Sequence, residues 1–232
     1  MKQSSITSTP LFHLFYPHNC VGCGSDVIAH ENFLCLECIN DLPHTNFAMH
    51  ANNPVEKKFW GRVPLASAMS EFYFSKESII QNIIHEFKYK GNRKIGHYLG
   101  NLIGKSLLNS NRFYIDVIIP IPLFEKKEKQ RGYNQAAILC DGISEIMNAP
   151  VMKKNVIRKV HTETQTKKHH AERWENVVNT FLVTQPRHLE GKRILLVDDV
   201  ITTGATLEAC ASEILKIKNV FLSVATLAMA TK

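Results

Sequence analysis

The sequence predicts a mainly parallel α/β sheet with helices on both faces, preceded by a small cysteine-bearing unit. Two apolar runs, at 116–119 and 193–197, read as buried strands, the first of them stopped by Pro120. Around them, apolar residues recur at the three- and four-residue steps of a helix face. Strands that alternate with helices favour parallel pairing, with helices packed on either side.

In chain order, Ile79, Ile80, Ile83, Ile84 and Phe87 predict a helix over 75–89, closed by Gly91. Leu99, Leu102, Ile103 and Leu107 predict a second over 95–108. After the strand at 116–119 come a helix at 133–147, short strands at 156–157 and 181–183, and the strand at 193–197. A helix at 205–216 and a closing strand at 220–227 complete the domain. Cys140 and Cys210 fall on apolar helix faces and read as core. Of the aromatic residues Phe72, Tyr73, Phe74, Phe87 and Tyr89, the spacing favours core over base stacking.

The 232 residues suit one generous domain with a small appendage. The boundaries read as a polar arm at 1–16 ending in the apolar patch Leu11, Phe12, Leu14 and Phe15, a cysteine unit at 17–43, an irregular connection at 44–74 and the α/β domain at 75–232. A net charge of +7 favours anionic partners, and 88–112 holds six Lys/Arg with no acidic residue. No segment has the apolar length of a signal peptide core or of a membrane span, so the expectation is a cytoplasmic chain without membrane insertion. In a reducing compartment, cysteines serve as ligands or core residues rather than disulfides.

Four of the six cysteines carry ligand spacing. Cys20 and Cys23 form one hook, Cys35 and Cys38 a second, with eleven residues between them. Two such hooks can close a tetrahedral thiolate site, which selects zinc over magnesium. This predicts a structural zinc ribbon over 17–43, with no open position for chemistry. His18 and His30 are near enough in sequence to stand in for a cysteine, but four thiolates already complete the site. A redox pair would need to open a helix in an α/β unit, which neither hook does.

The second motif follows the strand at 193–197, where Asp198 and Asp199 lead into Thr202, Thr203, Gly204, Ala205 and Thr206 ahead of a helix. Ligands of open α/β sheets bind at this end of the strands. Threonine hydroxyls, main-chain N–H groups and a glycine that admits close approach suit a phosphate. Two carboxylates beside a phosphate need hydroxyls or a divalent cation as partners. A sugar phosphate with vicinal hydroxyls meets both demands, whereas the bland alternative is a strand end followed by a capped helix. The segment closely resembles the phosphoribosyl pyrophosphate motif of type I phosphoribosyltransferases. That resemblance implies Asp198 and Asp199 on the ribose hydroxyls, 202–206 on the 5′-phosphate, and Mg²⁺ bridging ribose and pyrophosphate.

Between the motifs, the strand at 116–119 runs into Pro120-Ile-Pro and a basic loop ending Arg131-Gly-Tyr-Asn-Gln135. Lys126, Lys127 and Lys129 read as solvated surface, while Arg131 offers a planar fork for phosphate. The cysteine quartet, Lys88-Tyr-Lys-Gly91, Pro120-Ile-Pro, Arg131-Gly-Tyr-Asn-Gln135 and the series Arg158, Gln165, Arg173, Asn176 and Phe181 together resemble the ComF family. The resemblance implies a type I phosphoribosyltransferase-like parallel sheet with an N-terminal zinc ribbon, linked in some bacteria to single-stranded DNA during transformation. It places Arg131 and Lys88 near pyrophosphate. It also implies a mobile flap at 159–175, where His161, Lys167, Lys168, His169, His170 and Arg173 suit a departing pyrophosphate. No base-recognition element is apparent, so the acceptor is open.

Two functions follow as expectations. The first is Mg²⁺-dependent transfer from phosphoribosyl pyrophosphate. The second is a non-catalytic nucleotide-sensing or single-stranded DNA-handling module, with 88–112 as the basic face and competence proteins as possible partners.

Overall fold

The computed structural model describes residues 19–26, 28, 32–158 and 180–231. The arm at 1–16, His18, His30 and the expected flap at 159–175 therefore lie outside the described residues. At the centre is a four-stranded sheet in the order β1-β6-β5-β2, formed by β1 (Ser67–Phe74), β2 (Val117–Pro120), β5 (Arg193–Ile201) and β6 (Phe221–Ala230). All three pairings are parallel. A separate antiparallel pair, β3 (Val156–Arg158) and β4 (Phe181–Val183), brackets 159–180.

The central strands are apolar because both faces are covered. Ile194, Leu195, Leu196 and Val197 are all buried. On one face lie α3 (Ile79–Tyr89), α4 (Arg93–Asn109) and α6 (Gln135–Met147). The other carries α7 (Ala205–Ile214), packed on β5 and β4. In α3, Ile80, Ile83, Ile84 and Phe87 form the buried stripe that the spacing predicts. Ser78 caps it by accepting from the Gln81 N–H. Cys140 and Cys210 are fully buried, as expected of core thiols.

α4 and α6 approach closely through glycines. A Cβ on Gly142 would stand 2.2 Å from the His97 carbonyl oxygen, and one on Gly100 would stand 2.3 Å from that of Leu139. Backbone cannot retreat as a flexible side chain can. Gly142→Ala is therefore expected to cost about 2–4 kcal/mol after its gain in helix propensity. That corresponds to a fall in Tm of roughly 5–15 °C, measured by thermal melting. An unchanged Tm would show that the pair can open without penalty.

The stretch at 44–74, expected as an irregular connection, is ordered. It holds α2 (Pro54–Lys57) and, as its last eight residues, the edge strand β1. The α/β domain thus begins at β1 rather than at residue 75. β1 escapes a period-two reading because Ser70 and Glu71 are buried within it. Glu71 Oε1 lies 2.9 Å from His44 Nδ1, and the chain at 43–45 runs antiparallel along β1. Phe72 and Phe87 are core, whereas Tyr89 is 63% exposed. The short helices α1 (Leu36–Asn40) and α5 (Glu125–Arg131) complete the elements, and α5 buries no residue, consistent with a solvated lysine-rich face.

Candidate functional site

At the end of β5 the two carboxylates point to opposite faces, as a strand's alternation requires. Asp199 Oδ2 lies 2.7 Å from Lys88 Nζ at the end of α3, and both side chains are 16% exposed. Asp198 turns towards α7 and β3, where Arg158 and Cys210 interact with it. Its Oδ1 accepts from the Asp199 N–H at 2.8 Å, and Asp199 Oδ1 accepts from the Val200 N–H at 2.6 Å. Burial and the charge of Asp199 push the Asp198 carboxyl up to about 7, against the opposing pull of the Asp199 N–H, Lys88 and Arg158.

The threonine-glycine loop closes over the same place. Asp198 and residues 202–206 line one small cavity of about 50 Å³, under twice the ~30 Å³ share of a liquid water. Thr202, Thr203, Ala205 and Thr206 are exposed. Gly204 has φ 84°, a left-handed conformation at the start of α7 that strains any other residue. Phe59 supports it, since a Cβ on Gly204 would meet ring atoms at 3.3 Å. Arg62 Nη1 reaches Glu208 in the first turn of α7 at 3.1 Å. The segment after α2 thus braces the loop, a contact across more than 140 residues that no local pattern announces.

Arg131 does not join the carboxylates. Its Nη1 donates to Gln135 Oε1 at 2.9 Å, and its guanidinium lies 5.7 Å from the Tyr89 ring centroid. The Arg131-Gly-Tyr-Asn-Gln135 segment is nevertheless fastened to α3, because the Tyr133 hydroxyl donates to the Phe87 carbonyl beside Lys88. Asn134 caps α6 through the Ala137 N–H and also donates to the Ile121 carbonyl. Arg158 had a place in the family pattern without a role. Its guanidinium lies 3.4 Å from the Phe124 ring centroid and 5.1 Å from that of Phe181.

Much of the basic run at 88–112 is engaged within the molecule. Lys88 pairs with Asp199, Lys90 with Glu86 and Arg112 with Glu56. Arg93 donates to the Gly132 carbonyl at 2.8 Å. Among the described residues, Arg93, Lys94 and Lys105 have no ion-pair partner shown, while the other three charges of the run are neutralised by carboxylates.

The four cysteines converge. Their sulfurs lie within 4.8 Å of one another, and Cys23 and Cys35 Sγ are 3.8 Å apart. A tetrahedral ion with zinc–sulfur bonds of about 2.3 Å spaces its sulfurs roughly 3.8 Å apart, so the donor set fits structural zinc. Burial raises the Cys20 thiol, but N–H groups of Cys23, Cys35 and Gly22 outweigh it and lower the thiol to about 6. Burial and the other three thiols push Cys38 up. Asn82 of α3 donates to the Gly22 carbonyl at 2.8 Å and ties this unit to the domain.

A sequence profile of the phosphoribosyl transferase domain matches residues 136–231, α6 through β6. Fold and match together define a phosphoribosyltransferase-like protein with parallel strands flanked by helices. Over 210 residues the chain is 29% identical to Competence protein F of Haemophilus influenzae, covering 83% of this chain and 89% of that one. This match and the fold support a ComF-family phosphoribosyltransferase-like protein. It is also 30% identical over 138 residues to the DNA utilization protein YhgH of Shigella flexneri, covering 58% of this chain and 60% of that one. To Competence protein ComFC of Bacillus subtilis it is 28% identical over 141 residues, covering 60% of this chain and 54% of that one. No described helix is long and apolar enough to cross a membrane.

Proposed function

We propose that the chain binds phosphoribosyl pyrophosphate with Mg²⁺ at the end of β5 and transfers the phosphoribosyl group to an acceptor, in the cytoplasm, as part of handling incoming DNA in competence. The observation that carries this reading is that Asp198 and the 202–206 loop line the same cavity. The loop takes the 5′-phosphate, where the backbone at Gly204 admits close approach and the start of α7 favours negative charge. Asp198 and Asp199 take the ribose hydroxyls.

Asp198 and Asp199, the second already paired with Lys88, would share in holding Mg²⁺ together with substrate phosphates and water. Mg²⁺, when bound, supplies charge neutralisation at the pyrophosphate. Lys88, held on Asp199, and Arg131, held beside Tyr89, add cations on the α3 side of the site. Arg131 must leave Gln135 to reach the ligand. The four cysteines hold a structural zinc that stabilises the N-terminal unit.

Replacing both Asp198 and Asp199 by Asn is expected to abolish binding of phosphoribosyl pyrophosphate in calorimetry with Mg²⁺. Unchanged affinity would remove the assignment. A non-catalytic sensor would share this donor site. Pyrophosphate release with a panel of bases, amines and DNA separates the two, because a sensor releases none with any acceptor.

A further inference from the structure

A second cavity, of about 970 Å³, lies between the chain leaving β2, the start of α6 and the strand β3. Its volume sits at the upper end of the ~300–1,000 Å³ range of small-molecule sites. Its composition is mixed in a specific way. Phe124, Tyr133, Ile138 and Val156 supply an apolar and aromatic wall. Five Lys/Arg side chains line it against two carboxylates, Glu125 and Glu128; Glu125 is already held by Lys129 at 2.6 Å, as Lys153 is by Asp141 at 2.8 Å. The lining is therefore apolar with a cationic excess.

Arg158 is the decisive group. It is drawn into the wall between Phe124 and Phe181, and its Nε is buried with no hydrogen-bond partner. Arg158 as a whole is half-buried, but a buried donor left unmet on it is costly unless something completes it. Asp198 interacts with Arg158 electrostatically, but no hydrogen bond joins the two.

We propose that this cavity binds a flat ring compound carrying an acidic group, its acid on Arg158 and its ring against Phe124 and Tyr133. The planar guanidinium fork matches a carboxylate or sulfonate, and the aromatic wall matches a ring face. A neutral apolar occupant would leave the Arg158 donor unmet. A small inorganic anion would leave the aromatic wall wet. The cavity is a different one from that of the 202–206 loop, and the two readings share only the interaction of Arg158 with Asp198.

The test uses the full chain and the fluorescent probe 8-anilinonaphthalene-1-sulfonate, an aromatic sulfonate that presents a flat naphthalene face and brightens in apolar surroundings. Saturable binding is expected. Arg158→Gln should weaken it about tenfold or more, as loss of a hydrogen bond to a charged group implies. Lys154→Gln, on the exposed rim, should weaken it two- to threefold and guards against misfolding of the first variant. Benzoate and 2-aminobenzoate should displace the probe, and their neutral amides should not. The double Asp198→Asn, Asp199→Asn variant should keep or tighten probe binding, since it removes a carboxylate that interacts with Arg158, even while losing phosphoribosyl pyrophosphate, so the two readings fail separately. Probe affinity unchanged in both Arg158→Gln and Lys154→Gln would overturn the proposal, and so would displacement by the amides as effective as that by the acids.

Discussion

Replacing Cys38 by serine is expected to strip the metal from the chain and unfold the N-terminal unit while leaving the parallel sheet standing. Cys38 is 2% exposed and its sulfur sits among those of Cys20, Cys23 and Cys35. A unit this short cannot build a sufficient core of its own. Structural zinc contributes about 10–16 kcal/mol of apparent binding free energy in comparable small units, so removing one ligand of four takes away most of what holds the fold. The sheet keeps its own core of β5 and β6 residues and should melt as a separate, little-shifted transition. The checks are zinc content, expected to fall from about one per chain to near zero, and limited proteolysis, expected to cut first between Cys20 and Cys38. A chelator should do the same to the unmodified chain. A Cys38→Ser protein that retained a full equivalent of zinc and its protease resistance would refute the site.

The second large effect lies at Asp198, where stability should depend on pH in a direction set by its raised carboxyl. In the unfolded chain this group loses its proton near 3.8, but in the folded chain only near 7. The folded state therefore holds the extra proton between those values. This stabilisation is complete below pH 4, shrinks as pH rises, and is gone above 7. At about 1.4 kcal/mol per unit, a shift of three units corresponds to roughly 4 kcal/mol, reduced by water reaching the edge of the carboxyl that faces the small cavity. Asn in its place keeps the acceptor for the Asp199 N–H but removes the charge. Asp198→Asn should thus gain about 2–4 kcal/mol over the original chain at pH 8 and little at pH 4. The comparison is between the two proteins at each pH by chemical denaturation, because histidines titrate in the same window in both. Parallel pH curves would rule the effect out. The same substitution weakens the proposed donor site, so stability and binding should move in opposite directions, as expected where a charge is buried for use rather than for folding.

Much of the site was legible in the sequence because its parts are contiguous. Asp198, Asp199 and the 202–206 loop share one strand-to-helix turn, so local geometry alone brings them together. The cysteine hooks are legible for the same reason, each being a turn of the chain, although that all four sulfurs meet is a tertiary fact. Lys88 came from the family pattern, and the structure sets it on Asp199. Arg131 came from the same pattern and stands on Tyr89 instead, since the capping of α5 at Gly132 turns the arginine towards α3.

The sequence by itself determined the helices, the buried central strands and the two motifs, because each rests on periodicity or spacing within a few residues. Only the tertiary structure decided the rest. β1 became a strand because β6 offered it a parallel edge and His44 a partner for its buried Glu71, neither of which is near it in sequence. Phe59 and Arg62 became braces of the 202–206 loop, and Arg158 a half-buried cation between two rings, through contacts that folding alone creates. The physical reason is common to all three. A polar or charged group's place inside a protein is set by which partner compensates its lost water, and that partner is chosen by the packing of distant segments rather than by the neighbouring residues.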